Sequence, residues 1–359
     1  MRVLCSALPM EGHVRPILPI AQALVRAGHD VCFATGSDLH RTVRDAGVTP
    51  LAAGPTFAEA VSLADRRFAE LSFEQRYPAM FSQIIAPAKL VDLERIVAEW
   101  QPDLVVHECT NFAAPLAAAV ANLRTVTQGW GLVPLPGVTV PDPADVIPFW
   151  RSRGLEPAAY SGIFGKVHLH PMPPSLEPEA RVPVGRLQPM RLDIVRMPDA
   201  SLPADLQGLM LDRRPVVYVS LGTVDYFSRP EFFAIILKGL AALRVVVVAT
   251  VGQHNDPSAL GPQPENVHLE RWLPLSAVLR RCSLVVCHAG SGTMLASLAA
   301  GLPLVLLPRG ADQFQNASAG AVAGVARVIP PEGLTSAAVA TEVQRVPISH
   351  CTCCLLADM

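Results

Sequence analysis

The stretch Ser283-Leu284-Val285-Val286-Cys287-His288-Ala289-Gly290-Ser291-Gly292-Thr293, continued through Pro308 to Asp312-Gln313, decides the fold. Its first five residues form an apolar run of the kind buried in a parallel sheet. The two glycines then let the backbone turn tightly and approach a ligand. A helix is expected from about Thr293 to Ala300, with Leu295, Leu298 and Ala299 on one face, Gly301 as its stop and Pro303 beyond it. A second apolar strand, Leu304 to Leu307, ends at Pro308 and delivers Asp312-Gln313 to the same edge. A glycine turn entering a helix offers free N–H groups and the positive end of a dipole to an anion. His288 at its mouth adds an imidazole donor. The inference is a phosphate-bearing ligand at the carboxyl ends of parallel strands.

Outward from that stretch, the same alternation of strand and helix appears twice. In the first half, strands are expected at Val3–Ala7, Asp30–Ala34, Val48–Ala52, Asp103–His107, Thr125–Thr127 and Val167–His170. Leu8 to His13 reads as a loop, and a helix follows from about Pro16 to Ala27. Residues 56–98 read as a helical insertion rich in aromatics, among them Phe57, Phe68, Phe73, Tyr77 and Phe81, which either line an apolar pocket or pack the helices together. Residues 185–214 show no clear period and read as a crossing between domains. The second half restarts with strands at Val216–Ser220, Val245–Thr250 and Val267–Glu270, ahead of the opening stretch. The expected class is α/β: two doubly wound, Rossmann-like domains facing across a cleft.

Composition is consistent with this organisation. A chain of 359 residues is long enough for two domains with real cores. Half of it is apolar and only 17% is charged, so it is not a disordered chain. A net charge of −2 gives no reason to expect nucleic acid or an anionic membrane as partner. No apolar run approaches the length of a membrane span, and the first residues lack the pattern of a signal peptide. Cys5, Cys32, Cys109, Cys282 and Cys287 sit in strand-like contexts that suit reduced thiols. The expected compartment is the cytoplasm.

Gly12-His13-Val14-Arg15-Pro16, together with His288-Ala289-Gly290-Ser291-Gly292-Thr293, Ala299-Ala300-Gly301-Leu302-Pro303 and Pro308-Arg309-Gly310-Ala311-Asp312-Gln313, resembles the nucleotide-sugar-dependent glycosyltransferases of the GT-B fold. The nearest likeness is to actinobacterial macrolide and antibiotic glycosyltransferases. It covers residues 1 to about 345. The glycine loop has no following Lys-Ser/Thr, unlike a P-loop, and the first strand lacks the dinucleotide GxGxxG.

The resemblance implies an acceptor-binding domain over 1–196, a linker over 197–214 and a nucleotide-sugar-binding domain over 215–345. It implies that His13 is the base that takes a proton from an acceptor hydroxyl, which then displaces the nucleotide diphosphate with inversion and without a metal. The imidazolium so formed needs an anionic partner. Glu108 is the candidate, although matching without a gap places His107 there. Donor binding is assigned to Gly12, Thr223, Trp272, His288, Gly290, Ser291, Gly292, Thr293, Asp312 and Gln313, with Trp272 stacking on the nucleobase. Relatives often carry Gln where this chain has Leu275 and a ribose-binding Glu where it has Ala296, so the choice between dTDP and UDP stays open.

The expected activity is transfer of a sugar, a deoxysugar foremost, from a dTDP- or UDP-sugar to a hydroxyl of a hydrophobic natural product in antibiotic biosynthesis. No cofactor is implied beyond the nucleotide sugar as co-substrate. Self-association into a homodimer stays open. One alternative is a catalytically impaired nucleotide-sugar or aglycone-binding helper protein. Another, an epimerase of the same fold, is disfavoured by the aromatic insertion. The chain departs from the family after Arg345. Residues 346–359, with Cys351, Cys353 and Cys354, form an atypical tail that resembles a metal tract but lacks a second ligand pair.

Overall fold

The computed structural model describes residues 1–132, 143–177, 185–191, 202–209, 214–224, 226–253 and 255–347. The chain divides into two compact units. Nearly all of the atypical tail, much of the 197–214 linker and His254 lie outside the described residues. Among the described residues no helix is long and apolar enough to cross a membrane.

The first unit is a seven-stranded parallel sheet. Its strands are β1 (Arg2–Ser6), β2 (Asp30–Thr35), β3 (Thr49–Ala52), β4 (Leu104–Glu108), β5 (Arg124–Gln128), β6 (Val167–His170) and β7 (Arg186–Pro189). They lie in the order β3-β2-β1-β4-β5-β6-β7. Side chains alternate across the sheet as the two-residue strand period requires. Val3 and Cys5 enter the cluster with Val14, Ile17, Phe33 and Val106 on one face. Leu4 enters the opposite cluster with Leu90, Leu93, Leu116 and Trp150. Val105 and Val106 part between the two faces in the same way.

The second unit repeats the pattern with six parallel strands: β8 (Val216–Ser220), β9 (Val246–Thr250), β10 (Val267–Glu270), β11 (Leu284–Cys287), β12 (Leu304–Leu306) and β13 (Ala326–Val328). Their order, β10-β9-β8-β11-β12-β13, is that of the nucleotide-binding doubly wound fold. Val217, Val219, Val247, Val286 and Val305 meet Phe233, Ile236 and Leu240 from the helix Pro230–Ala241, and Val339 and Val343 from the helix Ser336–Arg345. Fully buried β-branched strands are expected where helices cover a parallel sheet.

Several boundaries differ from the sequence reading. The first helix runs Glu11–Arg26, so Gly12 and His13 belong to its first turn rather than to a loop. Pro16 and Pro19 lie inside that helix. Each removes an N–H from the helix ladder, so the Gly12 and Arg15 carbonyls lack their i→i−4 donor. Glu108 is the last residue of β4, not the residue after it. The presumed crossing contains β7 and a helix, Ala204–Leu209. Short, proline-flanked segments of this kind carry too little periodicity to be read locally. The insertion comprises the helices Phe57–Arg67, Phe73–Met80 and Ala86–Trp100, the last two joined by a π turn, Phe81–Ile85.

Candidate functional site

In the first unit, β4 brings Glu108 to the carboxyl edge of the sheet, where the helix Glu11–Arg26 begins. His13 Nδ1 lies 3.3 Å from Glu108 Oε1, with the imidazole 14% exposed and the carboxylate fully buried. The carboxylate is surrounded by donors. Its Oε1 also accepts from Leu8 N at 3.4 Å. Its Oε2 accepts from Thr110 N at 2.6 Å, Thr110 Oγ1 at 2.7 Å and Trp130 Nε1 at 3.4 Å. Burial pushes the Glu108 carboxyl up. The charge of His13 and the hydrogen bonds from His13 and Thr110 outweigh it and hold the group below the usual carboxylate range.

This network selects one tautomer. The Thr110 hydroxyl spends its proton on Glu108, so at 3.2 Å its oxygen accepts from His13 Nδ1. Nδ1 therefore carries the proton, shared between Glu108 and Thr110, and Nε2 keeps a free lone pair. The ring is flanked by Trp130, 5.6 Å between centroids, and by the edge of Phe81 at 5.8 Å. An imidazole oriented through Nδ1 by a carboxylate is the arrangement that lets Nε2 take a proton and then stabilises the cation formed.

The His107 alternative fails on geometry. Alternation along β4 sends His107 to the opposite face from Glu108. There it is fully buried, with Nδ1 3.1 Å from the Glu108 carbonyl and Nε2 3.5 Å from Thr127 Oγ1. Burial lowers its basicity, so it stays neutral. Neither Thr110 nor Trp130 belongs to the N-terminal motif. The only signal in the sequence was a threonine two residues past the carboxylate and a Gly-Trp-Gly after the next strand.

In the second unit the helix after β11 is Ser291–Ala299, starting two residues earlier than expected. The glycines do not make the turn. Gly290 caps the helix at φ −64°, and the left-handed residue is Ala289 at φ 68°. A non-glycine residue in that region carries a strain of about 1 kcal/mol or more. Asn316 holds it there by donating to the Ala289 carbonyl at 2.9 Å. Gly290 is needed for another reason: a Cβ there would fall on the His288 imidazole. A Cβ on Gly222 would come within 2.6 Å of His288 Nε2. His288 thus lies between two glycines, with Phe227 stacked at 6.4 Å. Burial drives its pKa down to about 4 against a weaker pull from the Ser220 backbone, so near neutral pH it donates as a neutral imidazole.

Ser291 Oγ donates to Asp312 Oδ2 at 2.7 Å, and Asn316 Nδ2 donates to the same oxygen at 2.7 Å. Gln313 is buried, and its Oε1 accepts from Arg309 N at 2.8 Å. The structure therefore brings His288, Gly290, Ser291, Asp312 and Gln313 together at the ends of β11 and β12, with part of their polar capacity used in holding the loops. Thr223 is exposed just beyond β8. Trp272, two residues past β10, is 48% exposed, so it is not a core residue and has a face free for stacking. Ala296, by contrast, is fully buried. Among the described residues no three His, Cys, Asp or Glu side chains are grouped as a metal site would require.

Family models for the two halves of erythromycin biosynthesis protein CIII-like proteins match this chain, the N-terminal domain over residues 22–142 and the C-terminal domain over 234–351. The chain is 31% identical to L-demethylnoviosyl transferase of Streptomyces niveus, over 92% of its own length and 85% of that protein's. It is 29% identical to TDP-daunosamine transferase of Streptomyces peucetius, covering 93% and 86%. The crystal structure of the glycosyltransferase SnogD from Streptomyces nogalater superposes with a TM-score of 0.73 at 29% identity, covering 97% of this chain and 96% of that one. With both halves matched and both sheets in the doubly wound order, the chain belongs to the erythromycin biosynthesis protein CIII-like family and is a glycosyltransferase of the GT-B fold.

Proposed function

We propose that this glycosyltransferase moves a sugar from a dTDP- or UDP-sugar to a hydroxyl of a hydrophobic natural product, with inversion at the anomeric carbon and without a metal ion. The observation that carries the reading is the pairing of His13 Nδ1 with the buried Glu108 carboxylate, which leaves Nε2 as the base. The acceptor hydroxyl gives its proton to Nε2 as its oxygen attacks the anomeric carbon. The bond to the diphosphate oxygen breaks, and the diphosphate leaves with the bonding pair. Glu108 then faces an imidazolium, and the carboxylate is already ionised to meet it.

The first-turn N–H groups of the helix Ser291–Ala299 and the neutral imidazole of His288 are the donors for the departing diphosphate. Trp272 offers its exposed indole to the base. The apolar acceptor fits the cluster of Phe57, Phe68, Tyr77 and Phe81, whose members are only partly buried. A relative whose printed name specifies a TDP-sugar supports dTDP as the first donor to try.

The test is release of nucleotide diphosphate from dTDP- and UDP-sugars against a panel of apolar aglycones. The anomeric configuration of the product is read by NMR. His13→Ala should abolish turnover while donor affinity, measured by calorimetry, stays within about threefold. Retention of configuration would remove the single-displacement scheme. Donor binding without product from any acceptor would select the binding-only alternative.

A further inference from the structure

We infer that Lys89 is a positioning residue for the His13–Glu108 pair: a buried amine, tethered to the ends of two strands, that holds Glu108 in register with the base and is coupled to its charge. The inference rests on the proposed role of that pair. Lys89 lies on the helix Ala86–Trp100 with no exposed surface. Among the described residues its ammonium has no carboxylate at ion-pair distance. It donates instead to the carbonyls of Ala34 at 3.1 Å and Ala53 at 3.2 Å. An amine with no exposed surface is a costly choice where a methionine would pack. Gly54 makes room for it: a Cβ there would stand 3.0 Å from Lys89 Cβ.

Two hydrogen-bonded routes run from this amine to Glu108. The Ala34 carbonyl also accepts from Ala7 N and from Ser6 Oγ, both at 3.3 Å. Ser6 Oγ accepts from Asn111 Nδ2 at 3.0 Å, and Asn111 N donates to the Glu108 carbonyl at 3.2 Å. Next to Ala34, Thr35 Oγ1 donates to the Leu8 carbonyl at 3.4 Å, and Leu8 N donates to Glu108 Oε1. The amine thus braces the strand ends that shape the carboxylate's cradle.

Its charge acts there too. Burial drives Lys89 down to about 7, against the opposing pulls of Glu108 from β4 and Asp92 from its own helix. Asp92 is itself engaged with Gly54 N at 2.8 Å. Cys32, from β2, has its thiol raised by burial and stays uncharged near neutrality. Glu108 is therefore the carboxylate through which Lys89 can influence the base. A buried cation coupled to a titrating pair makes the pair harder to protonate.

The experiment measures kcat/KM for nucleotide diphosphate release from about pH 5 to 9 in wild type, Lys89→Met and Lys89→Gln. Gln keeps a donor for the two carbonyls but no charge. Both variants should move the acid limb up by about one pH unit, with donor KM changed less than about threefold. An unmoved acid limb in both, with kcat lowered equally at every pH, would reduce Lys89 to a structural brace and overturn the inference. The same coupling is read without substrates by lysine-selective NMR of wild type and Glu108→Gln. Loss of the Glu108 charge should lower the Lys89 titration midpoint by about one unit, and an equal midpoint in the two proteins overturns the inference. This second measurement needs neither turnover nor a folded Lys89 variant, so it decides about Lys89 even if sugar transfer to aglycones is not observed.

Discussion

Glu108→Gln is the substitution that asks most of the proposed mechanism. It keeps the size of the side chain and removes its charge. In the native protein five donor groups converge on the carboxylate: His13 Nδ1, Leu8 N, Thr110 N, Thr110 Oγ1 and Trp130 Nε1. A glutamine has only one oxygen to offer them. Thr110 and Trp130 supply three of the five on the Oε2 side, so the amide oxygen settles there and the NH2 turns toward His13. His13 must then accept at Nδ1, which places its remaining proton on Nε2, where a lone pair is needed. Both the tautomer and the counter-charge are lost. Loss of an oriented general base lowers rates by about 10²–10⁴, and loss of its carboxylate partner lies near the upper end of that range. The expected fall in kcat is about 10³-fold or more, a barrier increase of at least ~4 kcal/mol. Donor affinity should change less than about threefold, because the Ser291–Ala299 helix and Trp272 belong to the other unit. The assay is steady-state diphosphate release with calorimetric donor binding, and circular dichroism confirms the fold. A folded Glu108→Gln protein with kcat within tenfold of wild type would refute the assignment of Glu108.

Other expectations follow from the same geometry. His168 is buried on β6, and burial, with smaller contributions from His170 and His107, depresses its pKa to about 3. Its unfolded value is near 6.5, so the stability it contributes is complete above that pH and is lost as pH falls toward 3. Between pH 7 and 5 the protein should lose about 2 kcal/mol through this residue, and chemical denaturation of His168→Leu should show that much less dependence on pH over the interval. Gly290→Ala should destabilise the protein by about 1–3 kcal/mol and weaken dTDP or UDP binding at least tenfold, because the new methyl group displaces the His288 ring. Gly12→Ala meets nothing within 4 Å in a helical turn, so its melting temperature should stay level or rise. Trp272→Ala should weaken nucleotide binding by about 0.5–1.5 kcal/mol with little change in melting temperature, since the indole is half exposed. Unchanged calorimetric affinity in that variant would remove Trp272 from the donor site.

The doubly wound architecture was legible in the chain because its signals are local. Valine-rich runs such as Val216–Ser220, glycine turns and amphipathic helices repeat over windows of a dozen residues, and each strand's two-residue period settles which side chains face which layer. The motif residues His13 and His288 to Gln313 could be named from the family resemblance that their contiguous motifs carry. What the chain could not show by itself were partnerships between distant residues. The choice of Glu108 over His107 turns on one residue of register in β4. Thr110 and Trp130 join His13 from about a hundred residues away. Ala289 holds a left-handed backbone only because Asn316 reaches its carbonyl. Gly222, on another strand's loop, leaves the space that His288 fills. Lys89 finds its two carbonyls at the ends of β2 and β3. Local sequence determined the elements and the motif chemistry. Tertiary packing alone decided protonation states, tautomers and partners, because burial and hydrogen-bond geometry are set by neighbours in space and have no period along the chain.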